Sequence, residues 1–399
     1  MKNFIQWELP AALIESLVRM GITIPTPVQQ ETIPLALKGL DVLVSAQTGT
    51  GKTIAYLIPL IQKLTKNPQE RALILTPTRE LAMQVHQALL QMAGPEFKAT
   101  LLIGGVSMSN QLANLKKQPF VIVGTPGRIN DHLDRRSLNL SGTRFLVIDE
   151  ADRMLDMGFG VQLDRIAKQL PESRQTLLFS ATYLPSIMRL AGRFLKDPQR
   201  VAVDAHNQAA SKIQQEVIRV SHSEKKIGLL QLDQRKGSII VFVKTRRRAA
   251  SLSKELRLAG HNTDALHGDL RQRRREQVIR AFRSSKSRIL VATDVAARGL
   301  DIPHVMHVIN YDLPECPEDY IHRIGRTGRA GAEGFALSLI SPEDNFRWKA
   351  IERFLNPNPN RQPARGTISK KSHPKKKWRP KKFQHRNKAS RSIRNFNKF

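Results

Sequence analysis

The chain reads Ala46-Gln47-Thr48-Gly49-Thr50-Gly51-Lys52-Thr53 shortly after the apolar run Val42-Leu43-Val44. In a loop of this type, backbone N–H groups wrap a phosphate, the Lys reaches the β- and γ-phosphates, and the Thr hydroxyl ligates Mg²⁺. Ala46 stands where glycine usually opens the loop, but Gly49 and Gly51 still allow close backbone approach. Because a helical pattern follows, the sequence predicts a strand, a phosphate loop and a helix, which together begin an α/β fold.

Two acidic residues follow a second apolar run about a hundred residues later. Asp149-Glu150-Ala151-Asp152 comes directly after Arg144-Phe145-Leu146-Val147-Ile148. A phosphate loop needs a further carboxylate for the metal and a group that positions water. An isolated acidic pair is usually a solvated turn, but this pair follows a predicted buried strand. We therefore predict that Asp149 and Glu150 supply both functions.

Short apolar runs recur along the chain and alternate with helical patterns. Near-continuous apolar runs are typical of parallel strands whose sheet is covered by helices on both faces. A polar stretch of small residues, 204–211, divides the runs into two series and predicts a linker between two α/β lobes. The remaining predicted strands are 72–75, 120–123, 146–148 and 177–179 in the first series, and 239–242, 289–291 and 305–309 in the second.

Composition restricts the class of protein. The formal net charge of +31 is extreme for an enzyme and points to a polyanionic partner. The single Cys316 excludes an intramolecular disulfide framework and favours a reducing cytoplasm. No apolar run approaches the ~18 residues that would indicate a membrane span, and no secretory signal is evident.

The end of the chain is predicted to be disordered. Residues 361–399 contain fifteen Lys or Arg, no Asp or Glu and few aliphatic residues, so they cannot bury enough apolar surface to fold. Trp378, Phe383, Phe396 and Phe399 lie among these charges, a combination that suits sequence-tolerant binding of single strands. A solubilising tail and a nuclear address are the alternatives.

A basic cluster closes the second series of predicted strands. His322-Arg323-Ile324-Gly325-Arg326-Thr327-Gly328-Arg329 places three arginines between glycines, in a lobe that has no phosphate loop of its own. A solvated face is the ordinary interpretation of such a cluster. Arginines delivered to a γ-phosphate accelerate phosphoryl transfer by ~10³–10⁵, so we favour arginine fingers that act across the lobes.

Taken together, residues 4–345 resemble a DEAD-box RNA helicase. Besides the phosphate loop and the D-E-A-D box, the motifs occur in the family's order, and each is weak alone but strong in combination. Asn130 is the clearest departure, since an apolar residue is commoner there. The further matches are Phe4 with 21–29, Pro77–Leu81, Gly104-Gly105, Thr125–Arg128, Ser180-Ala181-Thr182, Val241–Thr245, Gln272 with Arg275, Thr293-Asp294 and Ala297–Asp301.

The resemblance implies two tandem RecA-like parallel-sheet domains, RNA-stimulated hydrolysis of ATP, and Mg²⁺. Lys52, Asp149, Glu150, Arg326 and Arg329 would be catalytic, and Thr53 and Asp149 would hold the metal. Phe4 and Gln29 would recognise adenine, the loop Ala46–Thr53 the phosphates, and Asp301 the ribose. Ser180, Thr182 and His322 would couple the sites.

RNA binding is implied for one face of the two lobes, without base specificity. The residues expected there are Thr78, Arg79, Gly104, Gly105, Thr125, Arg128, Thr245, Gln272, Arg275, Thr293 and Arg298. For the threonines, a role in capping helices is about equally expected.

We expect domains at 1–205 and 213–357, a linker at 206–212 and a basic RNA-binding tail at 358–399. The protein is expected to be a cytoplasmic monomer that acts on single strands and short duplexes of RNA, in ribosomal or RNA-decay assemblies. Two other functions stay open: a DNA-directed translocase with the same two lobes, and a non-catalytic RNA-binding scaffold.

Overall fold

The computed structural model describes residues 3–46, 49–181, 183–203, 213–221, 224–225, 235–297, 305–328 and 333–355. Several predicted features lie outside these residues. They are Gln47, Thr48, Thr182, Arg298, Asp301, Arg329, the linker 206–212 and the tail 358–399.

Seven parallel strands form the first sheet, in the order β3-β4-β2-β5-β6-β1-β7. The strands are β1 (Val42–Ser45), β2 (Arg71–Leu75), β3 (Ala99–Leu102), β4 (Val121–Gly124), β5 (Thr143–Ile148), β6 (Gln175–Ser180) and β7 (Gln199–Ala202). The helices are α1 (Ala11–Arg19), α2 (Pro27–Leu37), α3 (Lys52–Lys66), α4 (Arg79–Ala93), α5 (Met108–Lys116), α6 (Pro126–Asp134), α7 (Ala151–Asp156), α8 (Gly160–Ala167) and α9 (Pro185–Phe194), preceded by a 3₁₀ helix, Phe4–Trp7.

Apolar side chains on both faces of this sheet build two separate cores. Ile74 and Val147 contribute to the core beneath α1–α4, whereas Leu73 and Leu146 contribute to the core beneath α6–α9. Alternate residues of one strand point to opposite faces, so a strand covered on both faces must be apolar throughout. This is why the central strands were recognisable in the sequence.

Six parallel strands form the second sheet, in the order β10-β11-β9-β12-β13-β8. The strands are β8 (Ile213–Arg219), β9 (Ser238–Phe242), β10 (Thr263–Leu266), β11 (Ile289–Ala292), β12 (Val305–Asn310) and β13 (Gly334–Ile340). The helices are α10 (Arg246–Leu258), α11 (Gln272–Arg283), α12 (Asp294–Ala297), α13 (Pro317–Ile324) and α14 (Asn345–Leu355), with a 3₁₀ turn at Pro342–Asp344.

The structure confirms the predicted fold class and all eight predicted strands, with small shifts at their ends. It adds five strands, of which β3, β7, β8 and β10 lie at the edges of the sheets. Within the part of the chain that the structure describes, no helix combines the length and apolar character needed to span a bilayer.

Candidate nucleotide site and inter-lobe surface

The strand order brings the phosphate loop and the acidic tetrapeptide together. β6 lies between β5 and β1, so the carboxyl ends of all three strands meet at one edge of the sheet. The Ala46 N–H donates to the Ser180 carbonyl at 3.0 Å, which joins the loop to the predicted coupling motif. Ligands of open α/β sheets bind at this edge.

The phosphate loop has the backbone conformation that its glycines permit. Gly49 and Gly51 have φ values of +84° and +93°, which side-chain-bearing residues rarely adopt. Gly51 precedes α3, so the loop ends at the helix N-terminus, where backbone N–H groups and the helix dipole favour anions. Lys52 is buried, and its Nζ donates to the Ala46 carbonyl at 2.7 Å.

Gln29 connects the predicted adenine motif to the phosphate loop. Its Nε2 donates to the Gly51 carbonyl at 3.0 Å, and its Oε1 accepts from the Thr26 N–H at 3.0 Å. A Cβ added to Gly51 would lie 2.5 Å from this Nε2, so the contact also requires glycine. Phe4 is buried in the first core and makes an edge contact with Trp7.

Asp149 is a buried carboxylate with one oxygen bound and one unpaired. The Tyr56 hydroxyl donates to Oδ2 at 3.0 Å, whereas Oδ1 has no hydrogen-bond partner among the residues that the structure describes. Burial raises the pKa of Asp149 to about 6, against the opposing charge of Lys52. Thr53, in the first turn of α3, adjoins the same Tyr56 hydroxyl, so a hydroxyl oxygen lies near this carboxylate. These residues therefore fit a hard cation such as Mg²⁺.

Glu150 is held by a neighbouring arginine. Its backbone is left-handed, with φ 54° and ψ 53°, a strained conformation for a residue with a side chain. The Arg153 Nη1 donates to the Glu150 Oε2 at 2.7 Å, and Arg153 is only 1% exposed. Burial alone would raise the pKa of Glu150, but the charges of Arg153 and Lys52 lower it below its ordinary value.

The last residue of the tetrapeptide, Asp152, has no role that the sequence alone indicates. Its Oδ2 accepts from the Ala181 N–H at 2.8 Å, and its Oδ1 accepts from the Arg153 N–H at 2.9 Å. Asp152 therefore links the acidic tetrapeptide to the predicted coupling motif, in which Ser180 is fully buried. Tyr56 was also missed, because it follows the helical spacing of an ordinary core residue.

The basic cluster of the second lobe lies on and after α13. Burial lowers the pKa of His322, and the Arg326 Nε donates to the His322 carbonyl at 3.2 Å. His322 and Arg326 line one small cavity with Arg153 of the first lobe, so this cluster lies beside the arginine that holds Glu150. Arg323 instead binds Asp294 with two hydrogen bonds, of 2.6 and 2.7 Å, inside its own lobe.

Predicted RNA-contact residues from both lobes meet at a second place. The Arg79 Nη1 donates to the Gln272 Oε1 across the lobes at 3.2 Å. Side chains added to Gly104 or Gly105 would collide with the Arg79 guanidinium, and Gly105 has a φ of +76°. These four residues therefore form one inter-lobe cluster.

Arg275 pairs with an acidic residue of the other lobe. It forms a salt bridge with Glu80, and its Nη2 donates to the Ala296 carbonyl at 2.7 Å. Both side chains are nearly buried. Glu80 had no assigned role, although it belongs to the motif at 77–81.

The other predicted RNA-contact residues mostly sit at helix starts. The Thr78 and Thr245 hydroxyls accept N–H groups of the first turns of α4 and α10, at 3.3 and 3.1 Å. Thr125 precedes α6 and Thr293 precedes α12, and both are largely buried. Arg128 pairs with Asp131 at 3.5 Å.

Asn130, the departure from the family pattern, is buried. Its Nδ2 donates to the Pro126 and Gln162 carbonyls at 2.8 and 3.1 Å, which ties α6 to the start of α8. An apolar residue could not make these bonds, although the Asn130 Oδ1 is buried without a partner among the described residues.

The two parallel sheets and the phosphate loop define a nucleotide-binding helicase core of the RecA-like class. Residues 26–190 match the DEAD/DEAH box helicase family, and residues 221–331 match the helicase conserved C-terminal domain. The chain belongs to the DEAD-box family of ATP-dependent RNA helicases.

Individual relatives support this membership over most of the chain. The ATP-dependent RNA helicase CshA of Listeria monocytogenes is 46% identical over 357 residues, which cover 88% of this chain and 68% of the relative. CshA of Bacillus subtilis is 44% identical over 356 residues, which cover 88% of this chain and 72% of that relative. The structure of Saccharomyces cerevisiae Dbp5 bound to RNA and ADP BeF3 is similar, with a TM-score of 0.80 and 33% identity over 90% of this chain and 93% of Dbp5.

Proposed function

We propose that this helicase locally unwinds or remodels RNA duplexes and RNA–protein complexes by closing its two lobes on ATP and RNA together. The observation that carries the proposal is that the two lobes meet beside the acidic pair: Arg153, which binds Glu150, lines one small cavity together with His322 and Arg326 of the second lobe. The γ-phosphate would hold the lobes together, and its hydrolysis would release them. The high TM-score with RNA-bound Dbp5 supports this view, because the match spans both lobes.

In the proposed reaction, Glu150 orients water and accepts its proton as the oxygen attacks the γ-phosphorus and the bond to ADP breaks. Mg²⁺, held by Thr53 and Asp149, would neutralise phosphate charge. We assign Lys52, Arg326 and Arg329 to the phosphates as well. Phe4 and Gln29 would bind adenine, residues 46–53 the phosphates and Asp301 the ribose, while Ser180, Thr182 and His322 would couple the sites.

We propose that RNA binds through its phosphates at the inter-lobe cluster of Arg79, Gly104, Gly105 and Gln272. The glycines leave backbone N–H groups accessible, and arginine gives charge-assisted contacts. Closure of the lobes would complete this surface, since Arg79 and Gln272 come from different lobes. The other proposed RNA-contact residues are Thr78, Thr125, Arg128, Thr245, Arg275, Thr293 and Arg298.

We also propose the domain boundaries 1–205 and 213–357, with the linker 206–212 and the tail 358–399. The protein would act as a cytoplasmic monomer, within ribosomal or RNA-decay assemblies. Its net charge of +31 supports a polyanionic partner.

The ATPase rate with RNA and with DNA of matched length tests the proposal. We expect RNA alone to stimulate hydrolysis. Equal stimulation by DNA would support a DNA translocase, and no hydrolysis with either would support a non-catalytic scaffold.

The Glu150→Gln variant tests the assigned chemistry. It removes the carboxylate but keeps the candidate metal ligand Asp149, so it should bind ATP and RNA, hydrolyse slowly, and accumulate as a ternary complex. Turnover close to that of the unaltered protein would rule out the role of Glu150.

A further inference from the structure

One segment of the second lobe carries most of the net positive charge outside the tail. Residues 361–399 hold fifteen Lys or Arg and no acidic residue, which leaves +16 of the net +31 on residues 1–360. Residues 244–288 contain fourteen Lys or Arg and four Asp or Glu, a net charge of +10. A solvated face usually mixes both signs, so this excess calls for a partner.

The segment wraps around one edge of the second sheet. α10 covers one face and α11 the other, and both contact the edge strand β10. Arg257 of α10 and Arg274 of α11 lie 3.6 and 3.2 Å from the same oxygen, Oδ1 of Asp264 in β10. The charges of the two helices therefore meet around the edge. We call this surface the basic rim, and its exposed cations include Arg247, Lys254, Arg257, Arg273, Arg274, Arg280 and Lys286.

Several cations of the basic rim are available to a ligand. Within the described residues, Arg247, Lys254, Arg273 and Lys286 are exposed and have no acidic partner. A lysine or arginine without a partner contributes little to stability, but it can release counterions when it meets a phosphate.

The basic rim begins at the proposed RNA surface and leads away from it. Thr245 caps α10, and Gln272, which contacts Arg79, begins α11. The twelve residues of α11 extend the surface by about 18 Å at 1.5 Å per residue. An RNA held at the inter-lobe cluster can therefore continue along the basic rim.

We propose that the basic rim is a second RNA-binding surface, which holds the phosphate backbone of RNA extending beyond the strand at the inter-lobe cluster. The inference rests on the proposed RNA-remodelling function. It predicts affinity that depends on RNA length and salt but not on base sequence, because phosphate contacts carry no sequence information.

The test compares the full chain with a variant that carries Arg247→Gln, Lys254→Gln, Arg273→Gln and Lys286→Gln. A control variant carries Lys66→Gln, Lys116→Gln, Lys168→Gln and Arg189→Gln, four exposed positions of the first lobe. RNA-stimulated ATPase is measured with an RNA of about ten nucleotides, within the size of one binding site, and with one about four times longer.

The basic-rim variant should need roughly tenfold more of the long RNA for half-maximal ATPase, while the short RNA acts as before. Each phosphate contact that the substitutions remove should reduce the log–log salt slope by about 0.7, or by about 3 for all four contacts. An unchanged slope, an equal loss with the short RNA, or an equal loss in the control variant would overturn the proposal. Polyglutamate at matched charge should not displace the long RNA from the protein. If it does, the proposal is overturned, and an acidic protein becomes the favoured partner of the basic rim.

The same measurements separate this proposal from the function on which it rests. If the short RNA stimulates ATPase in every variant and the basic-rim substitutions change nothing, only the second surface is wrong. If neither RNA stimulates the unaltered protein, the remodelling function itself is wrong.

Discussion

Asp149 shows how a single residue can be costly to the fold and useful to the site. Its carboxylate is buried, one oxygen has no partner within the described part of the chain, and burial raises the pKa of Asp149 to about 6. An unsatisfied buried polar group destabilises a protein by ~1–3 kcal/mol. A bound cation, which we propose to be Mg²⁺, would relieve this penalty.

Tyr56 offers a direct test of this arrangement. Tyr56→Phe removes the hydroxyl that orients Asp149, so we expect a higher Mg²⁺ requirement and a kcat lowered about three- to tenfold. Loss of one buried hydrogen bond should cost ~1 kcal/mol of unfolding free energy. Titration of ATPase with Mg²⁺ and chemical denaturation measure the two effects.

Tyr183→Phe is the matched control. The Tyr183 hydroxyl donates to the Val201 carbonyl at 2.7 Å in the same lobe and lies 3.2 Å from the Leu43 carbonyl. This substitution should cost similar stability without changing the Mg²⁺ requirement. An equal shift in both variants would mean that Tyr56 acts only through the fold.

Gln29 leads to a second prediction at this scale. The bond to Gly51 uses one N–H of the Gln29 amide, and the bond from Thr26 uses one lone pair of its oxygen. One N–H and one lone pair are left for adenine. We expect the protein to prefer ATP over GTP, and Gln29→Ala to raise the KM for ATP by an amount equivalent to ~1–3 kcal/mol. Steady-state kinetics with both nucleotides distinguish the roles, since equal increases for ATP and GTP would show that Gln29 only positions the loop.

At the scale of elements, the lobes are joined by two polar pairs between α4 and α11. Arg79 contacts Gln272, and Glu80 contacts Arg275 in a nearly buried salt bridge. Removing one partner of a buried pair typically costs ~3–5 kcal/mol, because the other charge stays buried and unpaired. This cost would fall on the closed arrangement of the lobes, since each partner can be solvated when they separate.

The charge reversal Glu80→Arg should therefore weaken closure. We expect at least a tenfold increase in the RNA concentration for half-maximal ATPase, and a smaller fraction of closed molecules by fluorescence transfer between labels on the two lobes. Adding Arg275→Glu should restore part of the closed fraction, but not the RNA affinity, because it also removes a proposed RNA contact. Failure of the double variant to recover, while both single variants remain folded, would mean that the pair does not couple the lobes.

Elements also show what could be predicted from sequence. Central strands such as β5 and β9 are covered on both faces, so their apolar runs were evident. Edge strands such as β8 carry exposed polar residues and lack that pattern, because one side of an edge strand has no neighbouring strand. β13 is central and buried but was also missed, so edge position does not account for every omission.

The candidate nucleotide site was likewise only partly predictable from the sequence. Motifs gave the position of the phosphate loop and of the acidic pair, because their residue types follow from the chemistry of phosphate and metal. Motifs did not reveal the partners Tyr56, Arg153 and Glu80. Tyr56 and Glu80 contact residues that are far away in the sequence. Arg153 binds Glu150 through the local turn after β5.

At the scale of the whole molecule, charge is concentrated at the end of the chain. Residues 361–399 carry fifteen positive charges, whereas the last described helix, α14, ends at Leu355. Removing residues 361–399 therefore cuts no element that the structure describes. We expect a folded ATPase with weaker and less salt-sensitive RNA binding, because the tail would act as a tether that raises the RNA concentration near the lobes.

The truncation should raise the RNA concentration for half-maximal ATPase more than it lowers the rate at saturation. Removing one phosphate contact reduces the log–log salt slope by about 0.7 for a single strand, and a flexible tail engages only some of its charges at once. ATPase measured against RNA concentration at two salt levels provides both quantities. If half-saturation and slope stay unchanged, the tail serves another purpose, such as binding a protein partner, and the basic rim would then be the main electrostatic anchor for RNA outside the core motifs.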